Sequence, residues 1–456
     1  MSQPASPAPL RVAVVGAGPA GIYAADILTK NDPDVTVDIF DRLPTPYGLI
    51  RYGVAPDHPR IKQIIVALHR VMESERIAFF GNVQVGVDVK VDELRQFYDA
   101  IIFATGAERD RSMGIPGEEL DGSYGAADFV AFYDSHPDRE QTWNLVGPRE
   151  VAVIGVGNVG LDVARILART GDELLYTDIP EHVHAVLKDS TVTDVHMFAR
   201  RGPAQAKFTP VELRELDHSP NVQCVVVPEG MEFDEGSQTA LAGSKSLRMV
   251  VDVLSEWAIR DAKPGPHRRI HLHFLENPVE ILGEDGKVVG LRTERQELTG
   301  DEGVRGTGEF TDWPMQAVYR AVGYRSESVE DLPFDTKKLV LPNVAGRVVD
   351  LHGEPLPGIY ATGWVKRGPV GLIGHTKSDA AETVRNLLAD EPELARAPHR
   401  GRADVIALLG EKSLPVTDFE GWDRLDAHER TLGEPTSRER IKVHTRDGMT
   451  SVARVR

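Results

Sequence analysis

A single cysteine, Cys224, is all the thiol chemistry in this 456-residue chain. One thiol cannot form an intramolecular disulfide, a Cys-x-x-Cys redox pair or an all-cysteine iron–sulfur site. Cys224 lies in the apolar run Val222-Gln223-Cys224-Val225-Val226-Val227, which reads as a buried strand. Any electrons the chain gathers must therefore leave for an acceptor outside it. No apolar run approaches the ~18 residues of a membrane helix. Met1–Leu10 is short, uncharged and Pro/Ala-rich, without the apolar centre of a secretory signal. A cytoplasmic protein with no membrane attachment is the expectation. Positive charge is also scarce: 52 Lys and Arg against 70 Asp and Glu leave a formal net charge of −18. A field of that sign opposes a polyanion, which argues against nucleic acid as a partner. An acidic protein partner would need a local basic face. No Gly-x-Ser-x-Gly elbow is present, so hydrolase chemistry has no support. His182/His184 and His271/His273 are His-x-His pairs, but neither reads as completing a metal ligand set with its neighbours in sequence. No metal is expected.

What the chain does have is glycine and proline, 42 and 30 residues, many of them at strand-to-helix turns. Arg11–Val15 is an apolar strand that runs into Gly16-Ala17-Gly18-Pro19-Ala20-Gly21, followed by a helical pattern with Ile22, Ala25, Ile27 and Leu28 as buried positions. In a Gly-x-Gly-x-x-Gly turn the first two glycines let backbone N–H groups approach a pyrophosphate. The third lets the helix pack on the strand, and the helix N-terminus favours negative charge. The next strand, Val35–Phe40, delivers Asp41 at its carboxyl end, where a carboxylate can accept hydrogen bonds from ribose hydroxyls. This is the context of a dinucleotide site for an unphosphorylated adenosine ribose.

The pattern then repeats. The strand Glu150–Ile154 enters Gly155-Val156-Gly157-Asn158-Val159-Gly160, and Leu161–Ala168 is helical. The later strand Asp194–Ala199 ends in Arg200-Arg201 where an acid would otherwise stand. Two guanidiniums suit a 2′-phosphate through charge-assisted bonds, which selects NADP over NAD. Two such sites in one chain point to a resident flavin dinucleotide in the first and a mobile hydride donor in the second. Ala104-Thr105-Gly106, after the strand Tyr98–Phe103, returns as Ala361-Thr362-Gly363. The second module is therefore inserted between two pieces of the first. The expected fold is α/β, with two Rossmann-like three-layer dinucleotide-binding domains of glutathione-reductase type. The expected division is residues 1–106 and 326–456 for FAD, the latter with a C-terminal extension, and 107–325 for NADP. Helices are also expected over Arg60–Val71, Ser378–Ala389, Ala403–Leu409 and Gly421–Leu432.

Residues 43–59, Leu-Pro-Thr-Pro-Tyr-Gly-Leu-Ile-Arg-Tyr-Gly-Val-Ala-Pro-Asp-His-Pro, together with the GAGPAG turn, closely resemble the adrenodoxin-reductase-type NADPH–ferredoxin reductases. Phe80-Gly81-Asn82-Val83, Arg200-Arg201-Gly202-Pro203, Glu212-Leu213-Arg214-Glu215-Leu216 and Gly363-Trp364 through Ile373 extend the resemblance over Arg11–Asn386, and weakly over Gly421–Val443. The resemblance implies FAD contacts from Gly16, Gly18, Ala20, Gly21, Asp41, Leu49, Val85, Trp364 and the Gly371-Leu372-Ile373 backbone. It implies NADPH contacts from Arg111, Val156, Gly157, Asn158, Val159, Arg200, Arg201 and Glu212, with Gly371 near the nicotinamide. His58 and Glu215 match the catalytic pair of the family, for which positioning and electrostatic roles are expected, since hydride transfer needs no side-chain proton relay. A helix beginning near Thr376 would set its N-terminus against the flavin.

The implied activity is hydride transfer from NADPH to FAD, then one-electron transfers to a ferredoxin that supplies oxygenases such as cytochromes P450. A monomer is expected. Arg214, Arg260, Arg268, Arg269, Lys366 and Arg367 are candidates for docking an acidic iron–sulfur protein, or equally for a salt-bridged surface. Alternatives are a flavin-dependent NADPH monooxygenase, for which no Phe-x-Gly-x-x-x-His linker is found, and a redox-sensing nucleotide-binding module with little turnover. The single cysteine argues against a disulfide reductase.

Overall fold

A computed structural model describes residues 8–263, 268–370 and 373–454, with only the backbone of Ile373. The chain divides into two compact units. The first comprises Met1–Arg109, Asp134–Asp138 and Tyr324–Arg456; the second comprises Asp110–Tyr133 and Arg139–Gly323. The expected boundaries at 106/107 and 325/326 lie within three residues of these. The return of Asp134–Asp138 to the first unit was not foreseen. Among the described residues no helix is long and apolar enough to cross a membrane.

The first unit is built on a seven-stranded sheet in the order Asn343–Val344, Arg347–Val349, Pro355–Ala361, Ala100–Phe103, Arg11–Val15, Thr36–Asp41, Ile77–Gly81. From Pro355–Ala361 to Ile77–Gly81 the pairing is parallel. Arg11–Val15 is buried throughout, as a central strand covered on both faces must be. The helix Pro19–Asn31 starts with proline just inside its N-terminus, where the missing N–H costs nothing. Its Ile22, Ala24, Ala25 and Leu28 pack with Ala380, Val384 and Leu387 of the helix Ile373–Asp390 in one core cluster. Ile27, expected among the buried positions, is partly buried. The expected helix Arg60–Val71 is instead two, Pro59–Lys62 and Ile64–Met72, joined at Gln63.

The C-terminal segment is no appendage. Trp422, Leu425 and Met449, from the helices Phe419–Gly433 and Arg446–Arg454, enter the same core as Tyr47 and Tyr52, with the Tyr47 and Trp422 rings 5.5 Å apart. The Arg51 guanidinium reaches both Glu429 oxygens, at 3.0 and 2.5 Å, in a fully buried pair. Burial opposes the charge on Arg51, but the Glu429 carboxylate more than offsets this and its pKa rises above the ordinary value.

The second unit has a six-stranded sheet, ordered Ser123–Gly125, Ala317–Arg320, Glu150–Ile154, Asp194–Ala199, Arg268–Phe274, Val222–Val226. All of its strand pairs are parallel. Cys224 lies in its edge strand and is buried, and burial raises its pKa beyond the reactive range. A second, antiparallel sheet is formed by Glu276–Glu284, Lys287–Leu298 and Val304–Pro314. Its Ile281 and Leu291 join Ile154 and Phe198 in one cluster, and Trp313 packs against it. The strand Val304–Pro314 was not legible in the sequence, because nearly all of it is exposed and carries no apolar alternation.

Candidate functional site

Both units build the same turn by the same means. Gly16 takes a φ of 112° and donates its N–H to the Phe40 carbonyl at 2.7 Å. Gly155 takes 115° and donates to Phe198 at 3.0 Å. A side chain at either position would collide with a carbonyl at the end of a neighbouring strand, Ala104 or Ala321 respectively. Gly21 and Gly160 lie against the carbonyls of Gly16 and Gly155, where a Cβ would also collide, so the helix is held close to its strand. Gly18 and Gly157 face open space and are the N-caps of the helices Pro19–Asn31 and Asn158–Ala168. Neither cap uses a side chain. The first N–H groups of both helices are thus left for an anion.

The two turns differ in the residues that stand at the end of the next strand. In the first unit Asp41 accepts the Ala17 N–H at 2.7 Å and the Leu43 N–H at 2.8 Å. Burial pushes its carboxyl up to about 6, against the pull of those amides and of the Arg42 guanidinium. Asp41 lines a cleft of about 450 Å³ with Gly16, Val83, Val85, Thr105 and Gly106. The Thr105 hydroxyl is buried there without a hydrogen-bond partner. An acidic strand end, the Gly16 turn and an unsatisfied hydroxyl around one cleft fit the adenosine and pyrophosphate of FAD. Ala104-Thr105-Gly106 stood out in sequence as a repeat, yet only the fold turns Thr105 toward the cleft.

Other expected FAD residues gather in the same unit. Ala20 lies under Gly363, whose φ is 74° and where a Cβ would come within 2.7 Å of the Ala20 side chain. The Gly363 N–H donates to Asp379 at 2.5 Å. Trp364 opens the short helix Trp364–Arg367 and is half-buried beside Tyr324, ring centres 6.2 Å apart. Leu49 is half-buried at the start of Leu49–Tyr52. Gly371 and Leu372 lie outside the described residues, and Ile373 opens the helix Ile373–Asp390 three residues before the expected Thr376. His58, buried, caps the short helix Pro59–Lys62.

In the second unit Arg200 and Arg201 come directly after the strand Asp194–Ala199 and are exposed. Among the described residues neither guanidinium has an ion-pair partner. Two adjacent guanidiniums open at a strand end fit a 2′-phosphate of NADP. Asn158 donates from Nδ2 to Glu212 Oε1 at 2.9 Å, while its Oδ1 is buried without a partner. Glu212 is itself fixed by Thr209, whose hydroxyl donates to it at 2.9 Å within a capping box. The Asn158–Glu212 link was not readable from two separate motifs. Val156 and Val159 are half-buried in the turn. Arg111 is exposed, its N–H on the Gly323 carbonyl at 2.9 Å. Glu215 ends the helix Pro210–Glu215, so it and His58 come from different units.

Most docking candidates turn out to be committed within the fold. Arg260 grips Asp217 with two bonds of 2.7 Å, Arg269 grips Asp194, and Lys366 is buried on Asp379 and Glu382. Arg268 is spent on the carbonyls of Arg169 and Ser190. Arg214 is exposed, with no ion pair among the described residues. The expectation that His271 and His273 have no partners to complete a ligand set does not hold across the sheet. Asp194, His196 and Glu150 stand beside them.

The comparison with known proteins gives these turns their setting. NADPH-ferredoxin reductase FprA of Mycobacterium leprae is 41% identical over 447 residues, covering 95% of this chain and 96% of that protein. The chain belongs to the NADPH-ferredoxin and NADPH:adrenodoxin reductase family. A mitochondrial NADPH:adrenodoxin oxidoreductase of Arabidopsis thaliana is 39% identical, covering 98% of this chain and 96% of its own. The solved structure of Mycobacterium tuberculosis FprA in complex with NADPH matches with a TM-score of 0.90 at 39% identity, over 98% of this chain and 99% of that one. Residues 10–206 match the family model for pyridine nucleotide-disulphide oxidoreductases. The reductase fold is accordingly the two-domain FAD and NADP architecture of glutathione-reductase type, without the disulfide, since Cys224 stands alone.

Proposed function

We propose that this chain is an NADPH-dependent ferredoxin reductase, using FAD and NADP, that takes hydride from NADPH and passes the electrons singly to an iron–sulfur protein. The observation that carries this reading is 41% identity, over nearly the whole chain, with an NADPH-ferredoxin reductase, in a chain whose two Rossmann turns end in opposite charge. FAD, when bound, supplies the conversion from two-electron to one-electron chemistry. The residues of the chain bind and orient.

In this reading Gly16, Gly18, Ala20 and Gly21 bring backbone N–H groups to the FAD pyrophosphate, and Asp41 accepts the ribose hydroxyls. Leu49, Val85, Trp364 and the Gly371–Ile373 backbone hold the rest of FAD. Val156, Gly157, Asn158 and Val159 receive the NADPH pyrophosphate, Arg200 and Arg201 the 2′-phosphate, with Arg111 and Glu212 beside them. His58 and Glu215 position the reacting rings without relaying a proton. The acceptor is a ferredoxin, in turn serving oxygenases such as cytochromes P450. Cytoplasmic residence and a monomeric state belong to the same proposal. Bacterial relatives support the cytoplasm; others are mitochondrial, so cell fractionation is the check.

The test is NADPH-dependent cytochrome c reduction with and without added ferredoxin. A ferredoxin-dependent rate well above background is expected. A rate at background favours a sensing module, and NADPH consumption coupled to oxygenation of an organic substrate favours a monooxygenase.

A further inference from the structure

In the amino-terminal half of the second unit's six-stranded sheet, away from the Gly155–Gly160 turn, three imidazoles and two carboxylates meet on adjacent strands. His196 stands in register with His271 on one side and Ala152 on the other, so their side chains share a face. The His196 and His271 rings are parallel, 8° apart, with centres separated by 4.4 Å. His196 Nδ1 lies 3.0 Å from His273 Nε2, and His196 Nε2 lies 2.8 Å from Glu150. His271 Nε2 lies 2.8 Å from Asp194 Oδ1. One donor atom each from Asp194, His196 and His271 falls within a common span of 4.8 Å.

We propose that Asp194, His196 and His271 form a binding site for a divalent transition cation of the zinc class. Two imidazoles and a carboxylate are the donor set such an ion prefers, with ligand bonds of about 2.0–2.2 Å. Donors around a tetrahedral ion stand about 3.4 Å apart on those bond lengths, so a span within 4.8 Å closes by side-chain shifts of about an ångström, with the parallel rings of His196 and His271 tilting toward the ion. The surrounding shell is already built. Whichever ring nitrogen of His196 takes the ion, the other has a fixed partner, Glu150 at Nε2 or His273 at Nδ1, and such partners set ring orientation. Glu150 and Arg269 are about half-exposed while Asp194 is 3% exposed, so the site is deep with an open mouth. Its one competitor is Arg269, which holds Asp194 by bonds of 2.5 and 2.8 Å. A second guanidinium, Arg149, acts on Glu150, so two carboxylates face two guanidiniums and ligand bonds rather than net charge hold the ion. The ion joins two neighbouring strands, so occupancy stabilises the unit without touching the nucleotide end of the sheet.

The test is calorimetric titration of the tag-free, FAD-loaded, EDTA-treated protein with zinc chloride, alongside thermal melts. One site per chain with a micromolar or tighter Kd is expected, and saturation raises Tm by ~5 °C. H271Q should weaken binding about tenfold or more, and E150Q, on a half-exposed residue that spares the fold, several-fold. R269Q should tighten it, a result a nonspecific surface site would not produce. Flavin absorbance reports that each variant is folded. No binding below 100 µM zinc, or stoichiometric binding that H271Q, E150Q and R269Q all leave unchanged, overturns the proposal.

Discussion

Replacing Arg200 and Arg201 together by alanine tests the asymmetry between the two nucleotide sites directly. Both guanidiniums are exposed at the end of Asp194–Ala199, and neither has an ion-pair partner among the described residues. Their removal therefore strands no buried charge, and the cost to folding stays within about 0.5 kcal/mol, as at ordinary surface positions. Against a 2′-phosphate carrying nearly two negative charges, each would contribute a charge-assisted hydrogen bond in the proposed reading. Such bonds run to about 1.5–3 kcal/mol, and solvent screening at an exposed site reduces this to about 1–1.5 kcal/mol each. The double variant thus loses ~2–3 kcal/mol, a rise in KM for NADPH of about 30- to 150-fold. KM for NADH, which has no 2′-phosphate, should move less than about twofold, and kcat with either donor should hold. Raising salt should erode the NADPH preference of the unmodified protein but not that of the variant. The assay is steady-state reduction of ferricyanide or ferredoxin-coupled cytochrome c with each nucleotide. Equal rises in KM for NADPH and NADH would refute the phosphate assignment.

The Asp41 carboxyl is held at about 6 chiefly by burial. Because that value lies above the ordinary 3.8, its contribution to apoprotein stability is present below pH 4 and is lost as pH rises through 6. If Asp41 accepts the ribose hydroxyls as proposed, FAD should bind the apoprotein more weakly at pH 5 than at pH 7.5, by fluorescence-quench titration, because the ionised carboxylate is the stronger acceptor. D41N should flatten that profile. G16A places a side chain at a φ of 112° against the Ala104 carbonyl and should yield protein without FAD. G155A should keep the flavin absorbance and lose reduction by NADPH. E429Q leaves the Arg51 guanidinium buried and unmatched, a loss of about 3–5 kcal/mol. A fall in Tm of less than about 5 °C would show that this pair does not hold the C-terminal segment in the core.

The amino-acid sequence alone determined the two turns and the charge beyond each. These features are local. A strand, three glycines at fixed spacing and a helix start are set by backbone geometry within a few residues, and Asp41 or Arg200-Arg201 arrives at the next strand end by chain continuity. The strands Arg11–Val15, Glu150–Ile154 and Asp194–Ala199 were legible for the same reason, since each is an apolar run between turn residues. Tertiary structure alone decided what depends on residues far apart in the chain. It carried the C-terminal Trp422 and Met449 into the first core, and it turned Thr105 into the cleft beside Asp41. It joined Asn158 to Glu212, and it spent Arg260, Arg268, Arg269 and Lys366 on internal partners. It also set His196 against His271 across two parallel strands, 75 positions apart in sequence, where only the sheet register makes them neighbours. Local backbone demands are written into short motifs. Contacts across a sheet or between a tail and a core depend on the packing of the whole unit, and no short stretch of sequence encodes them.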